Sequence, residues 1–100
     1  MIRHIVMWRL KDFNGVTGNP VQMDVLQKCI SAMRAEVPGL IMIDLGVDKS
    51  RTPDSADLIL VSEFETWTAL DAYQVHPLHD EFKKLFGPLR NERRLGDYEI

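Results

Sequence analysis

The segment Ala72–Phe82, AYQVHPLHDEF, gathers Tyr73, His76 and His79 around a proline. The chain's third histidine, His4, lies in the opening MIRHIVMWRL. Histidine changes charge near neutral pH, which suits it to moving protons, and a phenol can donate a hydrogen bond to a polar atom of a ligand. Three readings of these residues can be set side by side. For a metal, His76 and His79 would share a helix face at a spacing of three. Pro77 makes His76 a helix-entry residue, however, and no cysteine or third histidine lies nearby, whereas zinc sites use three or four ligands. No metal is expected. For packing, a histidine before a helix-starting proline can cap the first turn, and His76 reads this way. For acid–base work or binding, a buried histidine and tyrosine among apolar walls would line a pocket with a few polar handles. His4 fits this reading and also that of a core histidine bonded to a backbone carbonyl.

The elements that must position these residues follow from periodicity. Ile2 to Leu10 alternates, with Ile2, His4, Val6, Trp8 and Leu10 on one face, which marks a strand. Asn14, Gly15, Gly18, Asn19 and Pro20 make a loop, with Asn19 as N-cap and Pro20 as the first helical residue. Met23, Leu26, Ile30, Met33 and Val37 then form one helix stripe, ended by Pro38 and Gly39. Leu40–Val47 is a second strand, with Ile41, Ile43, Leu45 and Val47 on one face and Leu40 and Met42 on the other. Asp48–Ala56 is a polar loop. Leu58–Phe64 is a third strand, with Leu58, Leu60, Ser62 and Phe64 on one face. Thr66 or Thr68 caps a short helix carrying Leu70 and Tyr73 inward, and Pro77 starts another with the stripe Leu78, Phe82, Leu85, Phe86 and Leu89. Arg94–Ile100 reads as a last strand.

The order βαββαβ predicts one ferredoxin-like α+β domain over residues 1–100, an antiparallel four-stranded sheet with two helices on one face. Its second face also reads as apolar, through Ile5, Met7, Ile41, Ile43, Leu45, Ile59 and Val61, and no chain is left to cover it. A patch of that kind marks an interface, so a homodimer joined through its sheet faces is expected.

The bulk numbers exclude several partners. At 100 residues and 45% hydrophobic, the chain can bury a real core without metal or disulfide. A net charge of −3 gives no footprint for nucleic acid. The basic cluster Arg90, Arg93 and Arg94 is interleaved with Glu92, Asp97 and Glu99 and reads as solvated surface. There is no apolar run suited to a secretory signal or a membrane span, and the single Cys29 suits a reducing interior. A cytoplasmic protein is expected.

MIRHIVMWRLKD, VPGL, DLILVSEFETWTALDAYQVHPLH and the closing GDYEI together resemble the stress-responsive α/β-barrel (Dabb) family over nearly the whole chain. The Tyr-x-x-His-Pro-x-His element is the most specific part. The resemblance implies dimers in which two ferredoxin-like subunits join their sheets into one barrel. Many members have no assigned activity, while a plant member cyclises a polyketide by aldol chemistry with a tyrosine and the second histidine of the motif. By resemblance these match Tyr73 and His79, and a first-strand histidine matches His4. Such chemistry has His79 as general base and Tyr73 as hydrogen-bond donor to an enolate. The chain departs from that member at Leu58, at Leu26, Gln27 and Ile30, at Arg90, and at Trp8, so its substrate does not carry over.

The leading expectation is therefore a small apolar or aromatic molecule bound between sheet and helices, with no cofactor. The candidate residues are His79, Tyr73 and His4, with Trp8, Leu26, Ile30, Leu58, Leu60, Phe82 and Leu89 lining the pocket. The alternatives are a cofactor-independent cyclase, isomerase or lyase on a carbonyl compound, and a barrel whose histidines only hold structure.

Overall fold

The computed structural model describes residues 1–11, 13 and 20–100. The loop residues Asn14, Gly15 and Gly18, and the capping role given to Asn19, lie outside the described residues. The elements run β1 (Ile2–Leu10), α1 (Pro20–Glu36), β2 (Leu40–Val47), β3 (Leu58–Phe64), α2 (Trp67–Gln74), α3 (Pro77–Phe86) and β4 (Arg90–Glu99). The sheet is antiparallel in the order β2-β3-β1-β4. This is the ferredoxin-like arrangement, with the helices on one face.

Alternation in the two central strands sets the core. Ile2, Val6 and Trp8 of β1 and Leu58, Leu60 and Phe64 of β3 are buried under the helices. Leu26, Ile30 and Met33 of α1, Leu70 and Tyr73 of α2, and Phe82 and Phe86 of α3 close over them. Each large apolar side chain so buried contributes about 1.5–3 kcal/mol. Gly39 holds φ +77° at the turn from α1 into β2. A Cβ there would lie 2.6 Å from that of Ala69, so both the backbone and the close approach of α2 call for glycine.

Three expectations are corrected. In β2 the register shifts between Leu40 and Met42, and Ile43 and Leu45 pair with Ser62 and Leu60 on the helix side. Both are buried core residues, not members of the outer face. The outer apolar patch is therefore smaller: Ile5, Met7, Ile59 and Val61, with Met42 alongside. Next, β4 begins at Arg90 rather than Arg94 because its pairing with β1 extends to Leu10. Finally, α3 ends at Phe86, where a turn follows, so Leu89 lies outside the helix and Leu85 is exposed.

Candidate functional site

The break between α2 and α3 is built locally. Thr66 Oγ1 accepts from the Ala69 amide at 3.1 Å and starts α2. Pro77 lacks an amide hydrogen, and the residue before it is pushed to extended backbone, so α2 cannot run on. His76 takes that conformation, φ −70° and ψ 141°, and its Nδ1 accepts from the Leu78 amide at 3.1 Å. Its ring is thus an N-cap of α3.

His79 lies one turn beyond. Its Nδ1–H donates to the Gln74 carbonyl at 3.1 Å, satisfying one of the carbonyls left free at the end of α2. The proton on Nδ1 leaves the basic lone pair of the neutral ring on Nε2. Its ring stands 4.4 Å from that of Tyr73, centre to centre. Tyr73 packs in turn on Phe64 at 5.0 Å and lies 6.1 Å from the ring of His4. His4 is opposite Asp97 in the β1–β4 register and donates from Nδ1 to the Asp97 carboxylate. Three titratable side chains from three elements, β1, α2 and α3, thereby converge.

They converge on a cavity of about 330 Å³, within the range of small-molecule sites. Its walls are Val6, Trp8, Leu60, Tyr73, His4, His79, Phe82 and Phe86, and its rim is Gln74, Lys83, Gly87, Arg90 and Arg93. Trp8 packs on Phe86 at 4.3 Å and on Phe82 at 6.1 Å, forming an aromatic side. Of the candidate lining residues, Trp8, Leu60 and Phe82 face the cavity. Leu26, Ile30 and Leu58 lie in the closed core, and Leu89 sits in the turn before β4.

Sequence reasoning missed the rim. Arg90 and Arg93 line the cavity and are not merely solvated surface. Asp97, the partner of His4, was also missed, although pairing the last strand with the first would have placed the two opposite each other. Among the described residues no group of three His, Cys, Asp or Glu side chains could share a metal ion.

Burial sets the electrostatics of the two groups at the floor of the cavity. Burial pushes the Tyr73 phenol well above its ordinary value, so it stays a donor. Its hydroxyl is fully buried and, among the described residues, has no hydrogen-bond partner. Burial also lowers the His79 value, against the Gln74 bond, which raises it; Lys83 and His4 add to the lowering and Asp80 opposes it. Neutral His79 is therefore favoured near pH 7. Between its folded value and the ordinary one near 6.5, an unfolded chain binds a proton that the folded chain does not. Stability then falls as pH drops through that window. Going from about pH 7.5 to about pH 5.5, the urea midpoint of wild type should fall further than that of His79→Gln. Equal falls in the two proteins would show that His79 does not carry this linkage.

Sheet, helix break and cavity define a ferredoxin-like domain with a small-molecule-sized chamber between its layers. Residues 2–100 match the stress responsive A/B barrel domain, Dabb, and the chain belongs to this family. A dimeric ferredoxin-like protein of unknown function from Bacteroides fragilis is 26% identical, with a TM-score of 0.82 over 99% of this chain and 95% of its own. One from Thermobifida fusca, also dimeric and of unknown function, is 25% identical, with a TM-score of 0.82 over 99% and 90%. A hydroxynitrile lyase from Passiflora edulis shares the fold at 22% identity, with a TM-score of 0.76 over 99% and 92%. No curated protein matches the chain.

Proposed function

We propose that this protein is a homodimer whose subunits each bind a small, mostly apolar or aromatic molecule in the cavity between sheet and helices. The observation that carries this reading is the Tyr73 hydroxyl, fully buried at the cavity and without a partner among the described residues. A buried donor left unmade costs about 1–3 kcal/mol, which a ligand oxygen would recover by displacing the side chains that cover the hydroxyl. The aromatic side formed by Trp8, Phe82 and Phe86 suits an apolar body.

The dimer reading rests on the outer sheet face. Ile5, Met7, Ile59 and Val61 lie there in adjacent strands, and both named bacterial neighbours are dimeric. Gly96 and Gly46, beside Ile5 and Ile59 in register, have open space above them, which flattens the face for a second sheet. A cytoplasmic location, with neither nucleic acid nor membrane as partner, completes the proposal. The acidic net charge supports the exclusion of nucleic acid.

A second reading is favoured by His79 itself. Its Nδ1 is tied to Gln74, its basic nitrogen is Nε2, and burial keeps it neutral beside a phenol that stays protonated. Nε2 could take a proton from carbon next to a carbonyl while Tyr73 donates to the carbonyl oxygen as it gains charge. The chain would then be a cofactor-independent cyclase, isomerase or lyase; one fold neighbour is a hydroxynitrile lyase.

A melting-temperature screen over aromatic acids, quinones and β-dicarbonyl compounds tests the binding reading. At least one compound should raise the wild-type melting temperature, and the rise should shrink in His79→Ala. No shift in wild type, together with a mutant that melts several degrees lower, would make His79 a structural residue and remove the proposal. Turnover that disappears in His79→Ala while binding persists would select the enzyme reading.

A further inference from the structure

Side chains three apart on a regular strand point to opposite faces. Arg90 and Arg93 do not. Arg93 pairs with Trp8 and Arg90 with Leu10, both on the helix-facing side of β1, and the register shifts between Arg9 and Leu10. Asn91 is the extra residue, since Glu92 pairs with Arg9 and Arg90 with Leu10. A bulge of this kind re-aims a side chain, and here it brings two guanidiniums to one rim. That rim belongs to the cavity holding Tyr73 and His79, with Lys83 of α3 contributing a third cation. Lys83 lies 3.4 Å from Asp80. Among the described residues the cavity lining contains no carboxylate, although the chain as a whole carries a net charge of −3. Asp97, the nearest acid on the helix-facing side of β4, is engaged by His4, while Glu92 pairs with Arg9 on the other face. Arg93 also acts on the buried Tyr73 phenol, partly opposing the rise that burial imposes.

We infer that the ligand is an aromatic or apolar carboxylate, its body against Trp8, Phe82 and Phe86, its carboxylate at Arg90 and Arg93, and a second polar atom on the Tyr73 hydroxyl. This deepens, and rests on, the reading of the cavity as a small-molecule site. Guanidinium and carboxylate match as planar forks, and such charge-assisted bonds are stronger than neutral ones. Arg90 and Arg93 are exposed, so the attraction weakens with added salt. Their exposure also means that glutamine at either position leaves the core untouched.

The test is titration calorimetry with 2-naphthoate and 4-hydroxycinnamate, each beside its own methyl ester. The proteins are wild type, the double variant Arg90→Gln/Arg93→Gln, Tyr73→Phe, and Lys84→Gln as a control for lost charge. Wild type and Lys84→Gln should bind the acids about ten-fold more tightly than the esters, the low end of what a hydrogen bond to a charged group contributes. The double variant should bring acid and ester within about two-fold of each other, with ester affinity unchanged. Esters that bind wild type as tightly as the acids, and are lost in Tyr73→Phe, would overturn the carboxylate while leaving the cavity as a binding site. A preference for the acid that survives the double variant would overturn the role of the two arginines. Failure of all four compounds to bind would remove both readings together.

Discussion

Replacing Tyr73 by Phe raises the melting temperature of the ligand-free protein and weakens its response to ligand. The two effects have one cause. The hydroxyl is buried without a partner among the described residues, so its removal relieves the desolvation of an unmade donor and leaves the ring packed on Phe64 and His79. A relief of about 1 kcal/mol, the low end for such a group, corresponds to about 4–8 °C in a domain of this size. Thermal melts with and without ligand read both effects at once. A fall of several degrees in the ligand-free protein would show that the hydroxyl is bonded within the fold, and the cavity would lose its main polar handle. A rise together with an intact ligand response would place the ligand elsewhere.

Charging the outer sheet face has a comparably large effect on assembly. Val61 is half-buried in the single subunit, opposite Ile5 and Asp44 in register, and points away from the helices. In a dimer that covers this face, Val61→Lys takes an ammonium out of water with only the Asp44 carboxylate opposite to offset it, at an effective penalty of several kcal/mol. At about 1.4 kcal/mol per ten-fold, the dissociation constant should weaken by about a thousand-fold or more. Sedimentation at micromolar concentration should then find monomer, or the protein should become insoluble, while wild type remains dimeric. Circular dichroism on the soluble fraction separates loss of assembly from loss of fold. A variant that sediments as a stable dimer would sink the assignment of this face as the interface.

How far these features were legible in the sequence depends on what each residue must satisfy. β1 and β3 were readable because they bury one face, and a strict period of two records that constraint. The helix break was readable as well, since Pro77 admits few local solutions and His76 takes one of them. β2 misled for a physical reason. It carries apolar residues at both parities, so alternation cannot say which set meets the helices, and the register shift at Leu40/Met42 leaves Ile41 exposed although it shares parity with buried Ile43. Asp44 and Gly46 held the missing signal: a carboxylate and a residue without a side chain do not build a core. β4 was harder. Arg90–Glu99 is exposed along its whole length and has no apolar rhythm, so hydrogen bonds to β1, not burial, make it a strand. The cavity rim went unseen with it, because Arg90 and Arg93 come together only through a bulge. His4, Tyr73 and His79 stood out by residue type and motif. That His79 turns its Nδ1 to Gln74, and His4 its Nδ1 to Asp97, is fixed only by the packing of elements distant in sequence or across a helix break.

The exposed edge strand has a consequence for how such a chamber can diversify. Arg90 and Arg93, which set the charge at one side of the cavity, both sit on β4, as does Asp97, the partner of His4, whereas the packed interior is built by the other elements. Exposed positions away from caps and buried networks usually change stability by no more than about 0.5 kcal/mol when substituted. Arg90 and Arg93 are such positions, while Asp97 is held by His4. A lineage could therefore rewrite the preference of the chamber on one ribbon of the sheet while the scaffold and the His79–Tyr73 pair stay fixed. Ligand choice and foldability would then be inherited on separate parts of the same short chain.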